Sequence, residues 1–423
     1  MSRILSVNNL TNAEKEKITA ELTIEKTPSK YMYNATPVYI YPFDVVNNNV
    51  ILPFSYNRSL SRPERKDLPV LSVKFKGLLR EEQKQIKSEA ISLLNKNGSI
   101  IIAAYTGFGK TVTSINIASK IGLKTLIISH RIVLIKQWEE AINKFCENPK
   151  VQIIDSSSLI DKNNDFFIIN PTTVDKRKRQ DFKHIGFVIV DECHLIMAEG
   201  LSKCMLHISP RYVLGLSATP YRTDGLNKLL DLYFGEERIV RKLQHPHTVY
   251  KVETNFVPKI ETNSMGRLNW NTVLDSICNN QERNELIIKI LKHFKDRKIL
   301  VLCKRISQAK YLLERLENDK ESVTSLFGTK QQFDKSSRIL IGTTSKCGTG
   351  FDHATLDTLF IASDVEQYFI QFLGRVFRDK KVKPIIIDVV DNHALLKKHF
   401  SSRREIYKEH GGEIINFSFS HLK

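Results

Sequence analysis

The sequence has no long hydrophobic run. Its longest apolar stretches cover roughly seven residues, strand length rather than the length needed to span a bilayer. That excludes a membrane-spanning helix. Residues 1–30 are polar and mixed in charge, without the apolar core of a signal peptide. Cysteine is scarce, six in 423 residues, and no two stand as Cys-x-x-Cys. This argues against a disulfide framework or a thiolate metal site and predicts reduced, buried thiols in an intracellular compartment. His245-Pro246-His247 has no second ligand pair at zinc spacing and reads as a surface turn. There is no short-period repeat and no long low-complexity tract. An apolar content of 41% and a charged content of 26% are those of a globular chain long enough for two or three cores. The formal charge of +18 suits a polyanionic partner, nucleic acid before membrane. A lysine-rich coding bias would give the same number, so charge alone leaves the partner open.

The chain then organises itself around Ala104-Tyr105-Thr106-Gly107-Phe108-Gly109-Lys110-Thr111. The stretch follows an apolar run and enters a helical pattern over Val112–Lys120, the context of a phosphate-binding loop. In such a loop the backbone N–H groups around Thr106, Gly107 and Gly109 face the phosphates. Lys110 reaches the β/γ-phosphates and the Thr111 hydroxyl holds Mg²⁺. Ala104 stands where the usual pattern has its first glycine.

From Lys76 onward, short Ile- and Val-rich runs alternate with helical stretches. The first series is Ser99–Ala104, Thr125–Ser129, Val151–Ile154, Phe166–Ile169, Phe187–Val190 and Tyr212–Leu216. The second, after a helical stretch Asn280–Phe294, is Ile299–Cys303, Val323–Phe327, Ile339–Gly342, Thr358–Ile361 and Pro384–Val389. Continuous apolar runs of four to six residues are how parallel strands covered on both faces read. Two such series predict two doubly wound α/β domains, with a boundary between Gly235 and Thr248 and a basic helix over Asn392–His410 closing the second. Before them, Pro37–Phe43 and Asn49–Tyr56 read as two β-runs joined by a turn at Asp44–Asn48, and Arg58–Pro69 as a basic linker. The expected layout is an N-terminal accessory module (residues 1–75), a first α/β domain (76–240) and a second (241–423).

Three further constellations carry chemistry. The run Phe187–Val190 ends in Asp191-Glu192-Cys193-His194, where Asp191 can bind Mg²⁺ and Glu192 can activate water. Ser217-Ala218-Thr219-Pro220 follows the next run with small hydroxyls that suit a hydrogen-bonding switch, or an ordinary capping turn. Gln371 to Arg378 places Arg375 and Arg378 three apart, on one helix face, fit to neutralise phosphoryl charge. The run Lys176-Arg177-Lys178-Arg179 reads equally as a localisation signal, a phosphate-contacting loop or a solvated loop.

In this order the motifs resemble those of the superfamily 2 helicases, over about Leu79 to Arg378. The resemblance implies tandem RecA-like domains that bind ATP and Mg²⁺. Leu79 to Gln83 looks like the adenine-reading motif, implying base contacts by Arg80 and Gln83. Ala104–Thr111 is similar to motif I, which tolerates alanine first. Ser129-His130-Arg131 through Trp138 and Asn170-Pro171-Thr172 resemble motifs Ia and Ib, implying nucleic-acid contacts by Arg131 and Thr172. Asp191–His194 is motif II in its DECH form and Ser217–Thr219 motif III, making His194, Ser217 and Thr219 coupling residues. Gly342 through Asp352 looks like motif V, implying a backbone contact by Thr344 and nucleotide contacts by Gly350 and Asp352. Gln371–Arg378 resembles motif VI, with Gln371, Arg375 and Arg378 joining Lys110, Asp191 and Glu192 as catalytic groups. On this resemblance ATP bridges the two domains.

The run Leu214–Gly225 is similar to the branch that holds XPB, phage UvsW and poxvirus transcript-release helicases, and Tyr41-Pro42-Phe43 and Leu52-Pro53-Phe54 to helicases of large DNA viruses. The expectation is an ATP-dependent DNA helicase or translocase, monomeric, with transcription or replication machinery as partner and no membrane. Its setting would be the host cytoplasm or virion, or the nucleus. The rivals are an RNA helicase, a nucleic-acid-binding subunit with an inactive ATPase fold, and the motor of a restriction assembly.

Overall fold

A computed structural model describes residues 3–26, 38–56, 67–198, 200–219, 221, 226–262, 266, 268–330, 332–348, 353, 355–365, 369–377 and 382–422. The chain divides into two compact units, Met1–Arg241 and Lys242–Lys423.

The first unit runs β1 (Arg3–Ser6), α1 (Asn12–Glu21), β2 (Ile24–Lys26), β3 (Val38–Ile40), β4 (Asp44–Val46), β5 (Asn49–Leu52), α2 (Glu81–Asn97), β6 (Ser99–Ala104), α3 (Lys110–Ile121), β7 (Thr125–Ile128), α4 (Ile132–Phe145), β8 (Val151–Ile154), β9 (Phe166–Ile169), α5 (Pro171–Val174), β10 (Phe187–Val190), α6 (Cys193–Ile196), β11 (Tyr212–Ser217), α7 (Asn227–Phe234) and β12 (Arg238–Arg241). Strands β12-β6-β11-β10-β7-β9-β8 form one sheet, every pair parallel. Because neighbouring side chains on a strand leave by opposite faces, Ile100, Ile102 and Ala104 join one core with α2, α3 and α4. Ile101 and Ala103 join another on the far face. Both faces are covered, which is why the strands are continuously apolar.

That far face carries a finding about the N-terminal residues. Leu22, Ile24, Ile40, Leu52 and Phe54 share the core of Ile101, Leu126 and Phe234. Ser55 N donates to the Leu232 carbonyl at 2.8 Å, and Ser55 Oγ lies 2.6 Å from Ser99 Oγ. The segment is built into the first unit. Its expected hairpin is also corrected. Asp44–Val46 is a strand that pairs with β5, and the turn is Asn47-Asn48 alone, with φ of 47° and 61°. A two-residue turn of this hand needs positive φ at both positions, which asparagine tolerates. Val38–Ile40, expected to face β5, pairs instead with Ile24–Lys26.

The second unit runs β13 (His247–Glu253), α8 (Trp270–Asn279), α9 (Gln281–His293), β14 (Ile299–Cys303), α10 (Ile306–Asn318), β15 (Val323–Leu326), β16 (Ile339–Thr343), α11 (Thr344–Cys347), β17 (Thr358–Ile361), α12 (Phe369–Val376), β18 (Ile385–Val390), α13 (Ala394–Glu409) and β19 (Gly412–Asn416). Its seven strands, in the order β15-β16-β14-β17-β18-β13-β19, are again all parallel. Both units therefore have the doubly wound α/β form expected. His247 is a correction: it is fully buried, not part of a surface turn, because β13 carries it into the sheet against Phe377 and Tyr407. Burial holds its imidazole down to about 4. All six thiols are buried. No helix among the described residues is long and apolar enough to cross a membrane.

Trp138 is the single tryptophan of the first unit and Trp270 of the second, so in a Trp270→Phe background the fluorescence reports the first unit. Leu52→Ala should lower the urea midpoint seen by Trp138, at a cost of about 2–5 kcal/mol. An unshifted midpoint would mean that the N-terminal residues fold apart from the sheet.

Candidate active site

Strand β6 delivers the chain to the loop before α3. Gly107 and Gly109 adopt φ of 88° and 89°, values that cost a residue with a Cβ about 1–2 kcal/mol. At Gly109 a Cβ would also sit 2.4 Å from Gln83 Nε2. Between the glycines Phe108 is fully buried and meets the Tyr105 ring edge-on, which pins the loop to the core. Gln83 Nε2 donates to the Phe108 carbonyl at 2.9 Å, and the Arg80 guanidinium donates to the same oxygen. Gln83 Oε1 in turn accepts from Arg80 N at 2.8 Å, closing the first turn of α2. Thr106 lies in the turn before Gly107. Lys110 opens α3, and its Nζ donates to the Ala104 carbonyl at 2.7 Å; Thr111 follows in the same first turn.

Two strands away, β10 ends in the carboxylates. Asp191 is buried, and its Oδ2 accepts from Trp138 Nε1 at 2.9 Å while its Oδ1 accepts from Glu192 N at 3.1 Å. Burial and the adjoining Glu192 push the Asp191 carboxyl up, against the pull of Trp138 and Lys110. Glu192 sits at φ 47°, and its buried Oε2 makes no hydrogen bond within the protein. Two neighbouring carboxylates, with Lys110 near enough to act on Asp191, offer oxygen donors of the kind that suit a hard divalent ion held together with phosphate oxygens.

The coupling candidates converge on this pair. His194 Nδ1 lies 3.4 Å from Glu192 Oε2 and 2.8 Å from Ser217 Oγ, and Thr219 N donates to that same hydroxyl at 2.9 Å. His130 faces them, and burial, Arg131 and His194 hold it down to about 4.

Neighbouring strand ends carry the nucleic-acid candidates. Arg131 is the N-cap of α4 after β7, and Thr172 is the second residue of α5 after β9. Asn170 joins them: its Nδ2 donates to the His130 carbonyl at 3.0 Å while Oδ1 accepts from Thr172 N and Oγ1. Two arginines of the basic run are used internally. Arg177 Nη2 donates to the Asp155 carbonyl at 2.6 Å, and Arg179 Nη2 to Asp44 Oδ2 at 2.7 Å.

In the second unit Gln371 and Arg375 lie buried on α12, and Arg375 tempers the burial that pushes the Cys347 thiol up to about 12. Thr344 starts α11 beside a cavity of about 390 Å³ lined by Lys304, Arg305, Ile306, Gly328, Thr343, Ser345 and Lys346. Gly350, Asp352, Arg378, Pro220 and Arg222–Gly225 lie outside the described residues. Sequence reasoning missed Lys304 and Arg305, although Lys-Arg directly after β14 parallels His130-Arg131 after β7. It placed Trp138 in a nucleic-acid motif and missed its hydrogen bond to Asp191. An apolar residue on a helix face gives no hint that its one N–H points at a carboxylate.

Comparison with known proteins follows this geometry. Residues 76–222 match the family described as type III restriction enzyme, res subunit. The chain is 42% identical over 412 residues to the candidate helicase 161L of Invertebrate iridescent virus 6, covering 91% of this chain and 93% of that protein. It is 26% identical to the candidate ATP-dependent RNA helicase L396 of Acanthamoeba polyphaga mimivirus (96% and 84% covered). It is 27% identical to the DNA 3'-5' translocase XPB2 of Sulfurisphaera tokodaii (76% and 84% covered). The fold is similar to that of S. cerevisiae Dbp5 bound to RNA and ADP BeF3, with a TM-score of 0.56 at 15% identity over 78% of this chain and 89% of that one.

Gly109→Ala should weaken binding of a fluorescent ATP analogue at least about tenfold, the equivalent of 1.4 kcal/mol, with circular dichroism unchanged. Unaltered binding would show that the loop does not need the φ seen here.

Proposed function

The chain belongs to the superfamily 2 helicases, ATP-dependent enzymes with RecA-like units, and from that membership we propose that it is a DNA translocase or helicase. The observation that carries the DNA reading is kinship with XPB2, named for DNA, over 84% of that protein's length. The restriction-enzyme family model over 76–222 supports it. An RNA track is the second reading, favoured by the mimivirus relative named for RNA. Viral transcription or replication is the proposed setting, on the strength of the iridovirus relative.

ATP with Mg²⁺ supplies the phosphoanhydride whose cleavage drives movement. In the proposed division of labour Lys110 holds the β/γ-phosphates, with the backbone of Thr106, Gly107 and Gly109 cradling them. Thr111 and Asp191 hold the metal. Glu192, beside His194, takes the proton of the attacking water. Arg80 and Gln83 contact the base, with Gly350 and Asp352 completing the nucleotide contacts. Gln371, Arg375 and Arg378 neutralise the transferring phosphoryl group. His194, hydrogen-bonded to Ser217 and adjacent to Glu192, relays the state of the site to Thr219. Arg131, Thr172 and Thr344 grip the phosphate backbone, joined by the basic cavity at Lys304, Arg305 and Lys346. Such contacts make binding sequence-tolerant and salt-dependent.

The test is the steady-state ATPase rate with no nucleic acid, single-stranded DNA, duplex DNA and single-stranded RNA. Stimulation by DNA and not by RNA is expected, abolished in Lys110→Ala and Glu192→Gln while salt-sensitive DNA affinity persists. Stimulation by RNA alone would move the enzyme to the second reading.

A further inference from the structure

Helix α13 carries a buried polar stripe that the ATP site does not account for. His399, Arg403 and Tyr407 are four residues apart, so they share one helix face, and they are 8%, 3% and 0% exposed. Arg403 Nε and Nη2 fork onto the two oxygens of Asp388, both at 2.8 Å. Its Nη1 donates to Asp364 Oδ1 at 3.0 Å and to the Val365 carbonyl at 3.1 Å. His399 Nδ1 lies 2.7 Å from Asp364 Oδ2. Tyr407 donates to Asp388 Oδ2 at 2.7 Å, and its ring meets Phe369 edge-on at 5.1 Å.

The bonds to Asp388 tie the stripe to β18, and the remaining contacts fall on the approach to α12. Asp364 and Val365 are the last described residues before α12, and Phe369 is its first. One face of α13 therefore holds the chain on both sides of the entry to α12. The far end is held too: Phe377, directly after α12, stacks on His245 at 5.3 Å and lies tilted against His247 at 4.7 Å. Just upstream, Ser363 Oγ accepts from Lys304 N at 2.6 Å, and Arg283 Nη1 donates to the Ala362 carbonyl at 2.7 Å.

A buried ion network of this kind is a poor way to gain stability, since apolar residues of the same volume often do as well. A forked arginine does fix geometry in a way that apolar packing does not. We propose that His399, Arg403 and Tyr407 are positioning residues for ATP turnover, which hold the entry to α12 and so seat Arg375. This rests on the reading above that Arg375 acts in turnover.

The experiment measures DNA-stimulated ATP hydrolysis by the full chain. His399→Leu should lower kcat roughly tenfold, the order expected when a phosphate-facing group shifts by a fraction of an ångström. KM for ATP and DNA affinity should stay within about twofold. His399→Asn, which keeps an N–H near the position of Nδ1, should restore most of kcat. In an Arg375→Ala background His399→Leu should cost nothing further, because the histidine acts through that arginine. If His399→Leu does not fold, Phe369→Leu, which removes the ring that Tyr407 meets at the entry to α12, carries the same kcat and double-variant comparisons. An Arg375→Ala enzyme that loses kcat while His399→Leu keeps it overturns the clamp alone, as does an equal loss from His399→Leu on top of Arg375→Ala. An Arg375→Ala enzyme with unchanged kcat removes the reading of Arg375 and the clamp with it.

Discussion

Parallel strands buried on both faces leave polar side chains almost nowhere to stand except at the strand ends. The rest of this protein follows from that constraint. The phosphate loop begins where β6 stops, Arg131 where β7 stops, Thr172 just past β9, Asp191 directly after β10, and Ser217 closes β11. The second unit repeats the rule with Lys304 after β14, Thr344 after β16 and Asp364 after β17. Because neighbouring strands are in parallel register, their carboxyl ends line up, and loops far apart in sequence become neighbours. Asn170 bonding to the His130 carbonyl is the local sign of it.

Asp388 departs from that rule as a fully buried carboxylate inside β18 opposite Ile361. It survives only because Arg403 and Tyr407 supply three donors. Removing one partner of such a pair typically costs about 3–5 kcal/mol, since the other charge is left buried. Asp191 stands in the opposite condition. Its carboxyl is pushed up by burial and by Glu192, against the Trp138 indole N–H, Lys110 and the Glu192 backbone N–H. One carboxylate is locked by its partners and the other is left with its charge disfavoured, the kind of perturbation that marks a candidate functional group.

Much of this was legible in the residues themselves. Ile- and Val-rich runs between helical stretches marked most strands of both sheets, and the glycine spacing before Lys110 marked the loop. The strands β12, β13 and β19 were not legible. Tyr250 and Lys251 in β13 break its apolar run, and its place between β18 and β19 is a choice of partner made across the whole unit. The pairing of Asp44–Val46 with β5 depends on two asparagines taking positive φ, which composition does not reveal. The Trp138–Asp191 bond and the α13 stripe were hidden for a common reason. Each joins residues on separate elements, and helical spacing shows which side chains share a face but not what that face meets.

The central claim is that the Lys110 loop and the Asp191–Glu192 pair drive movement on DNA. Displacement of a triplex-forming strand from duplex DNA tests it most directly, because it registers travel and not hydrolysis alone. The account predicts ATP-dependent displacement by the natural chain and none by Glu192→Gln at equal DNA occupancy. Equal displacement by both, or DNA-stimulated hydrolysis with no displacement at all, would contradict it.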